Sequence, residues 1–251
     1  MKPDISVIIP ALNEEKNLSS LIKNLEETFL GNNLNAEILI IDDFSDDGTF
    51  EESLKLNEKY PNVRAFRKTL PRGIGYAIRF GIQKADGRIG VVVMADAVDP
   101  LDTIPLFRQK IIEGGYDLVL LSRYIDRGDS NNIPIIYKLF HVTYRFMYKA
   151  LLGLKLDDIT YAYRAFDLDF IRSLQLESGG FEISPEITIK AYLSKARICE
   201  FKGQQGRRLY GDSKFSFFRH GPGYIRVVIK GFLEKFPVSR KRTLLKSRYS
   251  G

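Results

Sequence analysis

The feature that most constrains this chain is an alternation between two hydrophobic periods over residues 4–128. The runs "ISVIIP", "AEILIID", "VRAF", "IGVVVMAD" and "YDLVLLS" are short, and several are rich in Val and Ile. Consecutive apolar residues over so few positions predict strands buried on both faces. Between them lie "EEKNLSSLIKNLEETF", "GTFEESLKLNEKY", "GIGYAIRFGIQKAD" and "DTIPLFRQKIIEGG". In the first of these, Leu18, Leu21, Ile22, Leu25 and Phe29 recur at helical spacing. Strand and helix in strict turn predict an α/β fold with a mostly parallel central sheet and helices on both faces.

The pattern changes after Arg123. "DRGDSNNIP" reads as a turn-rich linker, and "IIYKLFHVTYRFMYKALLG" predicts an aromatic, basic helix over about 134–153. "FEISPEITIKAYLSK" reads as a helix interrupted early by Pro185, and "ARICEFKGQQGRRLYG" as a strand running into a basic loop. The 251 residues suit one large domain with a smaller appendage, and 44% apolar content supplies a core. We divide them into a domain over 1–218 and a basic amphipathic tail over 219–251. Cys199 is the only cysteine, which excludes an internal disulfide and a zinc cluster.

No run reaches the roughly 18 to 20 apolar residues of a membrane span. The N-terminus turns acidic too early for a secretory signal, so a cytosolic protein is expected. Residues 1–128 carry 16 basic and 20 acidic side chains, a net of −4; residues 129–251 carry 22 and 11, a net of +11. A basic half can face nucleic acid, anionic lipid or phosphorylated substrates, and charge alone does not choose. No RNA- or DNA-binding motif is present.

Four polar spots fall at or near strand ends. They are Asn13 and Glu14 after the first strand, Asp42, Asp43 and Ser45 after the second, Gly73 and Gly75 at a helix start, and Asp96 and Asp99 after "VVVM". A parallel sheet gathers such loops on one edge. A carboxylate there can accept from a ribose or base, and glycines at a helix start let an anion approach. Paired aspartates can hold Mg²⁺ or Mn²⁺, which neutralises a diphosphate. Each spot alone has a bland reading: a polar loop at Asp96 and Asp99, or a turn with a helix cap at Asp47. Together they describe a nucleotide-diphosphate site.

As an ordered set, "SVIIPALNEEKNL", "IIDDFSDDGT", "GIGYAIRFGIQKADG" and "VVVMADAVDP" resemble the opening signatures of glycosyltransferase family 2, of the GT-A (nucleotide-diphospho-sugar transferase) fold. "LSRY", "DDITYAYRAF", "GGFEISPEITIKAY" and "GDSKF" extend the resemblance to the polyprenyl-phosphate branch, the dolichol-phosphate mannose synthase type, over about residues 4–220. The sequence departs from that branch at Met94-Ala95-Asp96, where Asp-Ala-Asp is common, and it shows no C-terminal membrane helix. It has no tryptophan, so the Gln-x-x-Arg-Trp motif of processive members is absent.

The resemblance implies inverting transfer of a sugar from a nucleotide-diphosphate sugar to a polyprenyl (dolichyl or undecaprenyl) phosphate, with Mg²⁺ or Mn²⁺. It places Pro10, Asn13, Glu14, Asp42, Asp43, Ser45, Gly73, Gly75 and Asp96 around the nucleotide sugar. Asp96 and Asp99 become the metal ligands. Arg123, Lys138 and Arg164 are expected at the acceptor phosphate, and Arg208 and Lys214 over the diphosphate, with Asp96, Arg123, Arg208 and Lys214 the catalytic set. A phosphate monoester is already largely ionised near neutral pH, so no side-chain base is expected. Glu182 and Glu186 either hold sugar hydroxyls or cap a helix.

A lipid acceptor requires membrane contact. The helix over 134–153 suits an interface, with Lys138, Arg145 and Lys149 beside its apolar residues; packing over the sheet is the plain alternative. From Arg219 onward there are nine basic residues and one acidic residue, which suits an anionic membrane surface. The expected location is peripheral, on the cytoplasmic face. A membrane-protein partner or a second copy stays open. His141 is read as packed or solvated. The alternatives are the same fold and donor with a soluble acceptor, and a non-enzymatic nucleotide-binding module.

Overall fold

The computed structural model describes residues 2–123, 135–203, 206 and 216–236, with the side chains of 135–138, 217 and 218 outside the description. In chain order the elements are β1 (Ile5–Ala11), α1 (Glu15–Gly31), β2 (Ala36–Asp42), α2 (Thr49–Lys59), β3 (Val63–Arg67) and α3 (Ile74–Lys84). They continue as β4 (Ile89–Val92), α4 (Ile104–Ile112), β5 (Leu118–Ser122) and α5 (Ile135–Leu152). The last are β6 (Arg164–Asp167), α6 (Leu168–Ser173), α7 (Ile183–Leu193), β7 (Ile198–Lys202) and α8 (Phe217–Lys235).

The strands form one seven-stranded sheet in the order β3-β2-β1-β4-β6-β5-β7. β1 pairs in parallel with β2 and β4, β2 with β3, and β5 with β7. Only β6 runs the other way, wedged between β4 and β5. "YRAFD" is short and contains an arginine, so its residue pattern carries no strand signal. Its direction matters for the site: the register Val92↔Arg164 puts the residues before Arg164 beyond the C-terminal end of β4.

Alternate side chains of each strand point to opposite faces. On one face Ile5, Val7, Ile9, Ile38 and Ile40 bury against Leu18, Leu21, Ile22 and Leu25 of α1 and Phe107 of α4. On the other, Ile8, Leu39, Ile41 and Leu120 meet Ala77, Ile78 and Ile82 of α3 and Ile183 and Ile187 of α7. The mostly parallel, doubly covered sheet expected from the hydrophobic alternation is therefore what forms. Pro185 falls in the first turn of α7, where its missing N–H disturbs little.

A third cluster joins α5, α7 and α8 through Tyr144, Tyr148, Leu152, Ile189, Tyr224 and Val228. Residues 219–235 thus lie within a helix packed on α5 and α7, and residues 237–251 fall outside the description. The outward faces of the two helices are apolar. On α5, Leu139, Val142 and Phe146 are 62%, 62% and 74% exposed; on α8, Ile225, Ile229 and Leu233 are about half exposed. Both sets repeat at helical spacing, so each forms a stripe. Among the described residues no helix is long and apolar enough to cross a membrane.

Candidate active site

The C-terminal ends of the parallel strands share one edge, and the acidic loops gather there. Two of them are stitched together. The Asn13 N–H donates to Ser45 Oγ (2.9 Å), and the Asp46 N–H donates to Asn13 Oδ1 (2.9 Å). Asn13 adopts φ 53°, a left-handed turn that asparagine tolerates. The Glu14 N–H donates to Thr49 Oγ1 (2.8 Å). Pro10 lies buried in β1, ahead of this junction.

Asp42 and Asp43 are buried and internally partnered. Asp42 accepts from the Ser45 N–H (3.1 Å) and lies 3.2 Å from Arg67 Nε. Asp43 accepts from the Gly73 N–H (2.6 Å) and lies 3.0 Å from Lys68 Nζ. Lys68, only 6% exposed, also donates to Thr69 O (2.8 Å) and to Pro71 O. Sequence reasoning missed Lys68; its signal was a lysine placed directly after β3, ahead of "TLPRG".

The glycine pair forms a backbone junction. The N–H groups of Gly75 and Tyr76 donate to Gly179 O at 2.9 and 3.3 Å, and Gly73 serves Asp43. A Cβ at Gly73 would lie 2.3 Å from Gly179 O, and one at Gly75 2.5 Å from Ser178 O. The α3 N-terminus therefore receives residues 178–180 of this chain. Gly73 and Gly75 make room for backbone at this junction.

Beyond β4, Asp96 and Asp99 are each 6% exposed, with the chain turned between them by Ala97 at φ 58°. Asp99 accepts from the Met94 N–H (2.6 Å) and from the Tyr161 hydroxyl (2.6 Å). Burial pushes the Asp99 carboxyl up to about 7 against those two hydrogen bonds, and nearby Asp96 adds to the rise. Asp99 thus braces the loop, and Asp96 is the carboxylate that the loop carries. Among the described residues no group of three or more His, Cys, Asp or Glu is placed to hold a metal. A one- or two-carboxylate donor set still fits Mg²⁺ or Mn²⁺, which take their remaining oxygens from phosphates and water.

The cations sort into two kinds. Arg123, just past β5, donates from Nε to Asp158 Oδ2 (2.8 Å) and from Nη2 to Thr160 Oγ1 (3.2 Å), and stacks 4.4 Å from the Tyr161 ring centroid. Burial opposes the Asp158 charge, but Arg123 holds that carboxyl well below the usual range. Arg164, expected at the acceptor, is 1% exposed; its guanidinium donates to Ser184 O (2.6 Å), Thr188 Oγ1 (3.0 Å), Ile159 O (3.3 Å) and Tyr161 O. It ties β6 to α7 inside the core, which corrects the expected contact with acceptor. Lys138 lies in the first turn of α5, its side chain outside the described residues, as are Arg208 and Lys214. Gly206, two positions before Arg208, donates its N–H to Val98 O of the Asp96 loop (2.7 Å).

A cavity of about 560 Å³ opens between the α3 N-terminus, residues 177–182, α7 and α8. Glu186 on its wall accepts from the N–H groups of Glu177 (2.9 Å) and Ser178 (2.8 Å) and pairs with Lys190 (3.1 Å). Glu182 accepts from the Gly180 N–H (3.1 Å) through Oε1, while its Oε2 lies between Gly180 and Gly223.

The mostly parallel seven-stranded sheet, flanked by helices and with acidic loops at its carboxyl edge, is of the GT-A class. Solved structures agree at the level of fold. Glucosyl-3-phosphoglycerate synthase from Mycobacterium tuberculosis, in complex with Mn²⁺, uridine diphosphate and phosphoglyceric acid, superimposes with a TM-score of 0.70 at 18% identity, covering 95% of this chain and 80% of that one. Within the class, the model of glycosyl transferase family 2 matches residues 6–174, and the chain belongs to that family. It is 33% identical over 225 residues to a dolichol-phosphate mannosyltransferase of Pyrococcus furiosus, covering 86% of this chain and 62% of the relative's length. It is 26% identical over 245 residues to an undecaprenyl-phosphate mannosyltransferase of Micrococcus luteus, covering 95% of this chain and 98% of the relative.

Proposed function

We propose that the protein is an inverting, metal-assisted glycosyltransferase that moves a sugar from a nucleotide-diphosphate sugar to a polyprenyl phosphate at a membrane surface. The observation that carries the lipid acceptor is the pair of exposed apolar stripes on α5 and α8. Half-exposed Ile and Leu beside Phe146 suit burial among acyl chains, and the exposed Arg226 suits an anionic headgroup, whereas Arg145, Lys149 and Lys230 are paired with Asp157 and Glu177. The names of the two mannosyltransferase relatives support the same acceptor class and make mannose the first sugar to test.

In this reading the nucleotide lies over the Asn13, Glu14, Asp42, Asp43 and Ser45 loops, whose cross-links fix its floor. Asp96 is the residue that would hold a divalent ion, with Asp99 bracing its loop. When bound, that ion neutralises the diphosphate and eases its departure. Arg123 and Lys138 attract the acceptor phosphate. One of its anionic oxygens forms a bond to the anomeric carbon as the bond from that carbon to the diphosphate oxygen breaks. The electron pair leaves with the nucleoside diphosphate, and the anomeric configuration inverts. The nucleophile is already ionised, so no residue need remove a proton. In the same reading Arg208 and Lys214 take the leaving diphosphate.

The test is transfer from a panel of nucleotide sugars, with Mg²⁺ or Mn²⁺, to undecaprenyl phosphate in anionic vesicles, beside a soluble phosphorylated acceptor such as phosphoglyceric acid. Transfer to lipid alone is expected. Transfer only to the soluble compound would move the protein to the second acceptor class, and no transfer to either would overturn the reading.

A further inference from the structure

We propose that Tyr161 is a positioning residue that locks the two halves of the site, the Asp96 loop and the acceptor arginine, to each other. This rests on the proposed function. Tyr161 is 5% exposed and uses both of its chemical faces. Its hydroxyl donates to Asp99 Oδ1 at 2.6 Å, while Asp99 Oδ2 receives the Met94 N–H at 2.6 Å. Asp99 is thereby clamped across the turn that contains Asp96. The Tyr161 ring is the platform for the Arg123 guanidinium, 4.4 Å from the centroid, a cation–π contact in a partly desolvated setting.

The tyrosine is itself held on both sides. Thr160 donates through its N–H (3.0 Å) and its hydroxyl (2.8 Å) to Asp158 Oδ1, and Asp158 receives Arg123. Farther back, the N–H groups of Asp157 and Asp158 donate to Glu200 of β7, at 2.8 and 2.7 Å in their shorter contacts. On the other side Arg164 grips Tyr161 O. The antiparallel course of β6 delivers this segment to the carboxyl edge between β4 and β5, so one side chain reaches both strand ends.

The two faces make separable predictions. Tyr161→Phe keeps the ring and removes the hydroxyl. It releases Asp99 and lowers affinity for Mn²⁺ and nucleoside diphosphate by about tenfold, the scale for an outer-shell hydrogen bond at a metal site. It leaves KM for the lipid acceptor unchanged. Tyr161→Leu also removes the platform and raises acceptor KM in addition. Titration calorimetry of the full chain with Mn²⁺ plus uridine or guanosine diphosphate reads the first effect without turnover, and acceptor KM reads the second. A parent protein that neither binds nor transfers marks failure of the proposed function, which is a different outcome. In a parent that does both, a Tyr161→Phe protein with an unchanged melting temperature and unchanged Mn²⁺ affinity, or one whose acceptor and donor constants shift together, would overturn the lock.

Discussion

Two arginines of the same formal charge have opposite surroundings. Arg123 lies at the strand-end surface against Asp158 and Tyr161, and Arg164 is enclosed by carbonyl oxygens. Burial lowers the Arg164 guanidinium to about 10, still charged at neutral pH. Arg164→Met would strand those carbonyls, and a loss of about 3 kcal/mol in denaturant unfolding is expected. The two glutamates divide similarly. Glu186→Ala removes the acceptor for two backbone N–H groups and should cost about 1–3 kcal/mol. Glu182→Ala removes the acceptor for only one, that of Gly180, and should cost about 0.5–1.5 kcal/mol. Asp96→Asn should abolish Mn²⁺ binding and lower turnover by about a hundredfold or more, read by calorimetry and single-turnover transfer. At this scale the sequence names chemical groups and not their occupancy. Nothing in "GGFEISPE" says which carboxylate already serves the backbone.

The elements over residues 4–128 were legible because each buries a stripe of fixed period. The strand at β6 was not, because four residues around an arginine have no period to show, and its neighbours supply the pairing. The glycines before α3 were legible as a helix start, but their partner at Gly179 is more than a hundred residues away, and only the fold brings it there. For α5 and α8 the amphipathic pattern was visible, and their side-by-side packing was not. That packing sets the prediction: Phe146→Glu combined with Ile229→Glu should abolish co-sedimentation with anionic vesicles and leave the melting temperature within a few degrees. Both positions face outward, so a large thermal loss would place the stripes inside an interface of another kind.

At the scale of the whole molecule, acid sensitivity has an identifiable source. Burial lowers His141 to about 4, with Asp158 opposing that drop and Arg123 and Arg145 adding to it. The folded protein keeps this imidazole neutral, whereas the unfolded chain protonates it near 6.5. The His141 contribution to stability is therefore full above about 6.5 and is lost as pH falls from there to about 4, while Asp99, raised to about 7, contributes the opposite slope over much of that range. His141→Gln should flatten the midpoint-versus-pH curve inside that window and nowhere else. The charge asymmetry was readable at the outset, and among the described residues of the basic half α8 lies on α5, with their apolar stripes outward.

The reversed strand β6 has one further consequence. The sheet order makes it a spacer between β4, which leads to Asp96, and β5, which leads to Arg123. Two interstrand steps of roughly 4.8 Å put those strands about 10 Å apart. Main-chain geometry thus acts as a ruler for the spacing between the Asp96 loop and Arg123. Evolution could exchange side chains at either end of that ruler, but it could alter the length only by rebuilding the middle of the sheet.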